Sequence, residues 1–215
     1  MAGRRRGAEG ALEQALRALG RALDASGATW MVIGGVAIIA HGVRRMTTDI
    51  DACIRGDEIS VDRLVEVLGS HGIEPRIPKA TEFARANLVL LARHVETGVD
   101  LDLSLGWTAF EHEALAARTS ARFGAVRVPM ASVEALLVFK AIAARGRDRE
   151  DIASLLALYP DLDLRRVRER IAELAAMADE PAMMVGLELL SPPPRGHRSK
   201  APAPGPTKRP RTRTR

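Results

Sequence analysis

Asp49 and Asp51 stand two residues apart in TTDIDACI, and Gly34 and Gly35 precede them across the thirteen residues 36–48. Side chains on a strand alternate faces, so Asp49, Asp51 and Cys53 point one way while Ile50, Ala52 and Ile54 point the other. Two carboxylates about 6–7 Å apart on one strand face repel each other, at a cost to folding unless a cation sits between them. A glycine pair opening a short apolar helix leaves backbone N–H groups where a polyphosphate can approach the positive end of the helix dipole. Alone, a glycine pair is a turn and an Asp-x-Asp is a solvated strand end. A calcium loop is excluded, because Cys53 and Arg55 are not oxygen ligands. The combination points to a site for a metal–nucleotide complex.

The spacing of that glycine pair from Asp-x-Asp resembles the signature of the polymerase-beta-type nucleotidyltransferases. The longer string GG-x-A-x-x-x-HG-x-x-R-x-T-x-D-I-D, over residues 34–51, is similar to the bacterial AbiEii/MenT-like group, several of which are toxins of toxin–antitoxin pairs. The resemblance places Gly34, Gly35, Arg45, Thr47, Asp49 and Asp51 on motif positions. It implies Mg2+-dependent transfer of a nucleoside monophosphate from an NTP to an acceptor hydroxyl. Asp49 and Asp51 would hold a two-ion centre, with Mn2+ as the alternative ion. The acceptor it implies is tRNA, and the partner a cognate antitoxin protein. A small-molecule antibiotic acceptor and a non-catalytic module that binds nucleotide, RNA or protein on the same fold are the alternative readings.

A two-ion centre needs a third acid from another strand, and VDLDLSLG offers Asp100 and Asp102. Alternation puts both on one strand face with Ser104, so geometry does not choose. The resemblance does: related sequences look like TG-x-x-x-D-x-S-x-G here, which selects Asp102. Further along, Lys140 sits on an otherwise apolar helical stripe with Val133, Leu136, Leu137 and Ala141. A snorkelling lysine and a point charge for nucleotide phosphates both fit that placement. The run K-A-x-A-x-R-x-R-D-x-x-D-I resembles a second block of the same family. It assigns Lys140, Asp148 and Asp151 to nucleotide binding, although helix capping explains the two acids equally well.

The elements that position these groups read as a small mixed α/β domain. A helix at 11–26 precedes the strand 31–33 and the short helix after Gly35. Another helix at 59–69 follows the acid strand, and residues 71–78 read as an irregular link. Strands at 88–92 and 99–105 form a hairpin through residues 96–98, before a helix at 111–118 and a strand at 125–128. Composition then shifts to helices at 132–145, 149–158, 164–178 and 181–190. The expected organisation is a disordered basic N-terminus at 1–10, a nucleotidyltransferase core at 11–130, a helical segment at 131–190 and a disordered Pro/Arg-rich tail at 191–215.

A hydrophobic fraction of 47% supports one sizeable core, while 3% aromatics leave Ala, Leu, Val and Ile to build it. Of the net charge of +5, the tail contributes +8 and the rest of the chain −3, so the basicity does not belong to the fold. One cysteine, Cys53, permits no internal disulfide, and no apolar run reaches the roughly 18–20 residues of a membrane span. A cytoplasmic protein without a membrane partner is the expectation.

Overall fold

Asp49 opens the middle strand of a seven-stranded mixed sheet. The structure, a computed structural model, describes residues 2–178 and Leu190. Its elements run α1 (Ala2–Ser26), β1 (Trp30–Ile33), α2 (Gly34–Ala40), β2 (Asp49–Arg55), α3 (Val61–Gly69), β3 (Ile73–Pro75), α4 (Ala80–Asn87), β4 (Val89–His94), β5 (Asp100–Gly106), α5 (Ala109–Ala116), β6 (Thr119–Phe123), β7 (Val126–Met130), α6 (Val133–Ala143), α7 (Asp148–Leu158) and α8 (Leu164–Ala178). The expected α/β class holds.

The sheet order is β3-β4-β5-β2-β1-β7-β6. β2 runs antiparallel to β1 and parallel to β5, whereas β4 pairs antiparallel with both β3 and β5. The hydrophobic face of β2, made of Ile50, Ala52 and Ile54, is fully buried, as are Leu101 and Leu103 of β5. α1 lies over this side and packs on α3, β2 and β7, contributing Leu16, Leu19 and Leu23 to the core. Burying such side chains stabilises by roughly 1.5–3 kcal/mol each, which is what a core poor in aromatics relies on. α5 packs against β2, and α6 joins α2 to α7 and α8.

Three elements went unseen in the sequence, and one segment was read wrongly. β6 (TSARF) buries only Phe123 and shows no alternation, as an edge strand exposed on both faces does not. β3 has three residues, and α4 buries only Ala80 and Ala84, too weak a stripe to register. Residues 2–10, expected to be disordered, form the start of α1, because Ala and Arg are good helix formers and outweigh the three glycines there. The expected helix 181–190 and the tail 191–215 lie outside the described residues, Leu190 excepted. No helix among the described residues is long and apolar enough to cross a membrane.

Candidate active site

Parallel pairing of β2 with β5 sets Asp49 opposite Asp100 and Asp51 opposite Asp102. Paired residues share a face, so four carboxylates form a two-by-two grid at the N-terminal ends of the two strands. Strand β1 ends opposite the grid, with Ile33 paired to Asp51, and the chain turns at once through Gly34 and Gly35.

The glycines are required by those acids. Gly34 has φ of +61°, and a Cβ there would lie 1.9 Å from Asp51 Oδ2 and 2.8 Å from Asp51 Cβ. A Cβ on Gly35 would lie 2.4 Å from Thr47 Oγ1. The Gly35 N–H donates to the Asp51 carboxylate, while Thr47 Oγ1 donates to Asp49 Oδ1 at 2.7 Å. Gly34→Ala is therefore expected to cost at least about 1–2 kcal/mol for its left-handed backbone alone, and the contact with Asp51 adds to that. A thermal melt matching wild type would refute this reading of the turn.

The two halves of the grid differ electrostatically. Burial pushes the Asp51 carboxyl above its ordinary value, and the charges of Asp49 and Asp102 push it the same way, against the Gly35 hydrogen bond and the Lys140 charge. Asp102 is likewise raised, mainly by burial, although Arg76 opposes this. Asp100 is the exception. Arg93, directly across the β4–β5 hairpin, donates to it at 2.6 Å and holds its carboxyl below the usual carboxylate range. Arg76 Nη2 donates to Asp102 Oδ1 at 2.8 Å, and its Nη1 lies 3.7 Å from Asp100 Oδ2. The arginines thus distinguish the two acids of β5: Asp100, beside Asp49, is held by Arg93, whereas Asp102, beside Asp51, is held by Arg76.

Among the described residues no three His, Cys, Asp or Glu side chains already converge as a ready-made metal group. The donor set nonetheless fits a hard divalent cation. Asp49, Asp51 and Asp102 supply only oxygens, and Asp51 and Asp102 are held in a raised, mutually repelling state that a cation would relieve.

A second charged cluster lies beside the site, close enough for the Lys140 charge to act on Asp51. Lys140 Nζ lies 2.6 Å from Asp148 Oδ1 and 3.0 Å from Asp151 Oδ2, and Arg45 Nη1 also donates to Asp151 Oδ2. Asp148 further accepts the Arg145 N–H at 2.8 Å, which starts α7. Both acids are buried, at 4% and 5% exposure, and their carboxylates hold Lys140 and Arg45. Lys140 does not snorkel; its amine is paired. His41, at the end of α2, adds a tie through Nε2 to the Ala131 carbonyl at 2.9 Å, and Tyr159 donates to the His41 carbonyl at 3.0 Å.

Cys53 shares the acid face but lies under α5, where burial, with Glu111 nearby, pushes its thiol up to about 12. A thiolate is the reactive form, so Cys53 is expected to resist Ellman's reagent at pH 8 in the native protein and to react once unfolded. Rapid native labelling would contradict its burial.

Sequence reading missed Arg76 and Arg93. Arg93 was within reach, because the register of the hairpin places it opposite Asp100. Arg76 gave no signal, since it lies 26 residues before Asp102 in what read as an irregular link.

A mixed sheet that presents paired acids on its central strand, against a glycine turn leading into a short helix, is the construction of a nucleotidyltransferase. Residues 12–188 match the family described as nucleotidyl transferases of unknown function (DUF2204), and the protein belongs to that family. It is accordingly a nucleotidyltransferase, a class whose members generally use divalent metals. No curated protein matches the chain. Among solved structures it is similar to the antibiotic-resistance factor ANT(2'')-Ia in solution, with TM-score 0.56 and 17% identity over 80% of this chain and 94% of that one. It is also similar to an antigenic nucleotidyltransferase-like protein from Paracoccidioides brasiliensis, with TM-score 0.48 and 16% identity over 80% and 93%. At these identities the likeness speaks to fold alone.

Proposed function

We propose that this protein transfers a nucleoside monophosphate from an NTP to an acceptor hydroxyl with Mg2+, as a member of the AbiEii/MenT-like group. The observation that carries this reading is the grid of Asp49, Asp51 and Asp102 on paired strands, set against the glycine turn. Asp49, Asp51 and Asp102 would hold the ions, which when bound neutralise the phosphates and lower the pKa of the attacking hydroxyl.

The chain's own residues supply the rest. Gly34 and Gly35 carry no side chain to block the approach of the triphosphate. Thr47 orients Asp49 through its hydroxyl. Asp148 and Asp151 fix Lys140 and Arg45 so that their charges lie beside the acids, and the Lys140 charge acts on Asp51 at a distance. Asp102, on the strand beside Asp51, is the base that accepts the hydroxyl proton. The hydroxyl oxygen then bonds to the α-phosphorus while the α–β bridging bond breaks, and pyrophosphate leaves in line.

The tail bears on the acceptor. Residues 191–215 carry eight Lys/Arg and no acid, which suits an anionic acceptor such as tRNA held by screened electrostatics. A cognate antitoxin and a cytoplasmic location follow from the same group resemblance. The fold likeness to an antibiotic-resistance factor supports a small-molecule arm in the assay.

The test is incubation with Mg2+ and each labelled NTP, alone, with total tRNA, or with an aminoglycoside. Label on tRNA that depends on Mg2+ and on Asp49 is expected. Label on the aminoglycoside alone would move the acceptor to a small molecule. The absence of both acceptor label and pyrophosphate release under every condition would refute the transfer reaction.

A further inference from the structure

The row of paired residues that holds Asp51 and Asp102 continues across the sheet. Asp102 pairs with Leu91 of β4, and the Arg76 N–H donates to the Leu91 carbonyl at 3.1 Å, one residue beyond the end of β3. Ile33, Asp51, Asp102, Leu91 and Arg76 therefore stand in one line over five successive chain segments. Two strand spacings, about 10 Å, separate the Arg76 backbone from that of Asp102. The Arg76 side chain spans that gap, and its guanidinium reaches Asp102 Oδ1 at 2.8 Å while its other nitrogen lies 3.7 Å from Asp100. Asp100 is itself pinned by Arg93 at 2.6 Å.

This chain of contacts has a direction. Arg93 fixes Asp100, Asp100 flanks Arg76, and Arg76 fixes one oxygen of Asp102. The second oxygen of Asp102 is left for the site. Ion pairs among exposed groups contribute little to stability, but Arg76 is not such a group: its side chain is only 20% exposed and carries two acids. A partner that orients a ligating carboxylate typically changes metal affinity or activity by about 10–100-fold when removed.

We propose that Arg76 is the positioning residue of this site: it orients Asp102 for the divalent ion, and Asp100 serves as the anchor of Arg76 and not as a ligand. The inference rests on the reading of Asp49, Asp51 and Asp102 as the ion-holding set. It explains why two acids two residues apart on β5 have different partners. It also gives a function to a loop residue that no motif marks.

The experiment is Mn2+ binding to the full chain, followed by electron paramagnetic resonance of the free ion, on wild type, Arg76→Ala, Arg76→Lys, Asp100→Ala, the double variant Arg76→Ala/Asp100→Ala, and Asp49→Ala. Arg76→Ala is expected to weaken Mn2+ binding by about 10–100-fold, with Arg76→Lys intermediate. Asp100→Ala should give a smaller loss, and the double variant should bind no worse than Arg76→Ala. In pyrophosphate release, the fall should appear in kcat with KM for NTP unchanged. Mn2+ affinity equal to wild type in Arg76→Ala would overturn the inference, and tighter binding would make Arg76 a competitor of the ion and overturn it equally. Losses that add in the double variant would make Asp100 a ligand. If Arg76→Ala does not fold, Arg76→Lys carries the comparison, and wild-type affinity there refutes positioning by the planar fork. Wild type and Asp49→Ala both failing to bind Mn2+ would instead refute the ion-holding set itself.

Discussion

Replacing Asp49 and Asp51 together by alanine is expected to lower nucleotide transfer by about 10³-fold or more while the fold persists. The two acids lie on one face of the central strand, and no lysine or arginine pairs directly with either among the described residues. Their removal therefore deprives the reaction of its ion-holding pair without orphaning a buried protein cation. The stability side is more discriminating in Asp51→Asn, which keeps the shape of the side chain and the acceptor for the Gly35 N–H. Asp51 has its folded-state pKa raised by burial and by Asp49 and Asp102. A raised carboxyl contributes stability that is fully present below its unfolded value and is lost as pH rises through the folded one. At neutral pH the ionised group thus weakens the metal-free fold, and Asp51→Asn should raise stability by about 1 kcal/mol, or about 2–4 °C in Tm.

That difference should shrink as pH falls and vanish below the ordinary carboxylate value of 3.8, where wild type is also neutral at this position. Mg2+ should then raise the Tm of wild type and not of the double alanine variant, because an ion that binds only the native state stabilises it. Melting curves across pH with and without Mg2+, beside a transfer assay, measure all of this. A lower Tm for Asp51→Asn in metal-free buffer at neutral pH would contradict the strained acid grid. Transfer surviving in Asp49→Ala/Asp51→Ala would place the chemistry elsewhere.

Asp151→Ala is expected to be the most damaging single change to stability, at about 3–5 kcal/mol, or about 10 °C in Tm. Asp151 is 5% exposed and receives both Arg45 and Lys140, whose side chains are 19% and 15% exposed. Its loss leaves Lys140 with Asp148 and, among the described residues, leaves Arg45 with the Met46 carbonyl at 3.3 Å. A cluster of two cations and two anions becomes one with surplus positive charge in a half-dry site, and that uncompensated charge is the source of the cost. The exposed pair of Arg85 and Asp62 provides the control: Asp62→Ala should change stability by less than about 0.5 kcal/mol. Similar melts for the two variants would show the buried cluster to be no stronger than a surface contact. Asp151→Asn, which keeps the acceptor without the charge, separates hydrogen bonding from electrostatics.

How much of this was legible beforehand depends on how far apart in the chain the partners stand. The acid strand, the glycine turn and the helix α8 are set by local rules: two-residue alternation, the conformational freedom of glycine and helical periodicity over fifteen residues. Those rules act between near neighbours, so the sequence alone determined the α/β class, the acid pair Asp49 and Asp51 and the buried Ile50–Ala52–Ile54 face. The reason for Gly34 and Gly35 was only partly visible. Their spacing suggested room for phosphates, whereas the fold shows that Asp51 and Thr47 already press against them.

Everything that depends on register between distant segments was decided by tertiary structure. Alternation made Asp100 and Asp102 equivalent, and only the pairing of β5 with β2 and β4 set Asp100 between Asp49 and Arg93 and Asp102 between Asp51 and Leu91. Lys140 looked like a cation on an apolar stripe until α7 brought Asp148 and Asp151 to it. Arg76 became part of the site because β3 is the outer strand next to β4, which carries a loop residue to within 2.8 Å of an acid 26 residues further along the chain. Local sequence specifies which way a side chain points on its own strand. Which charge it meets is a property of the sheet.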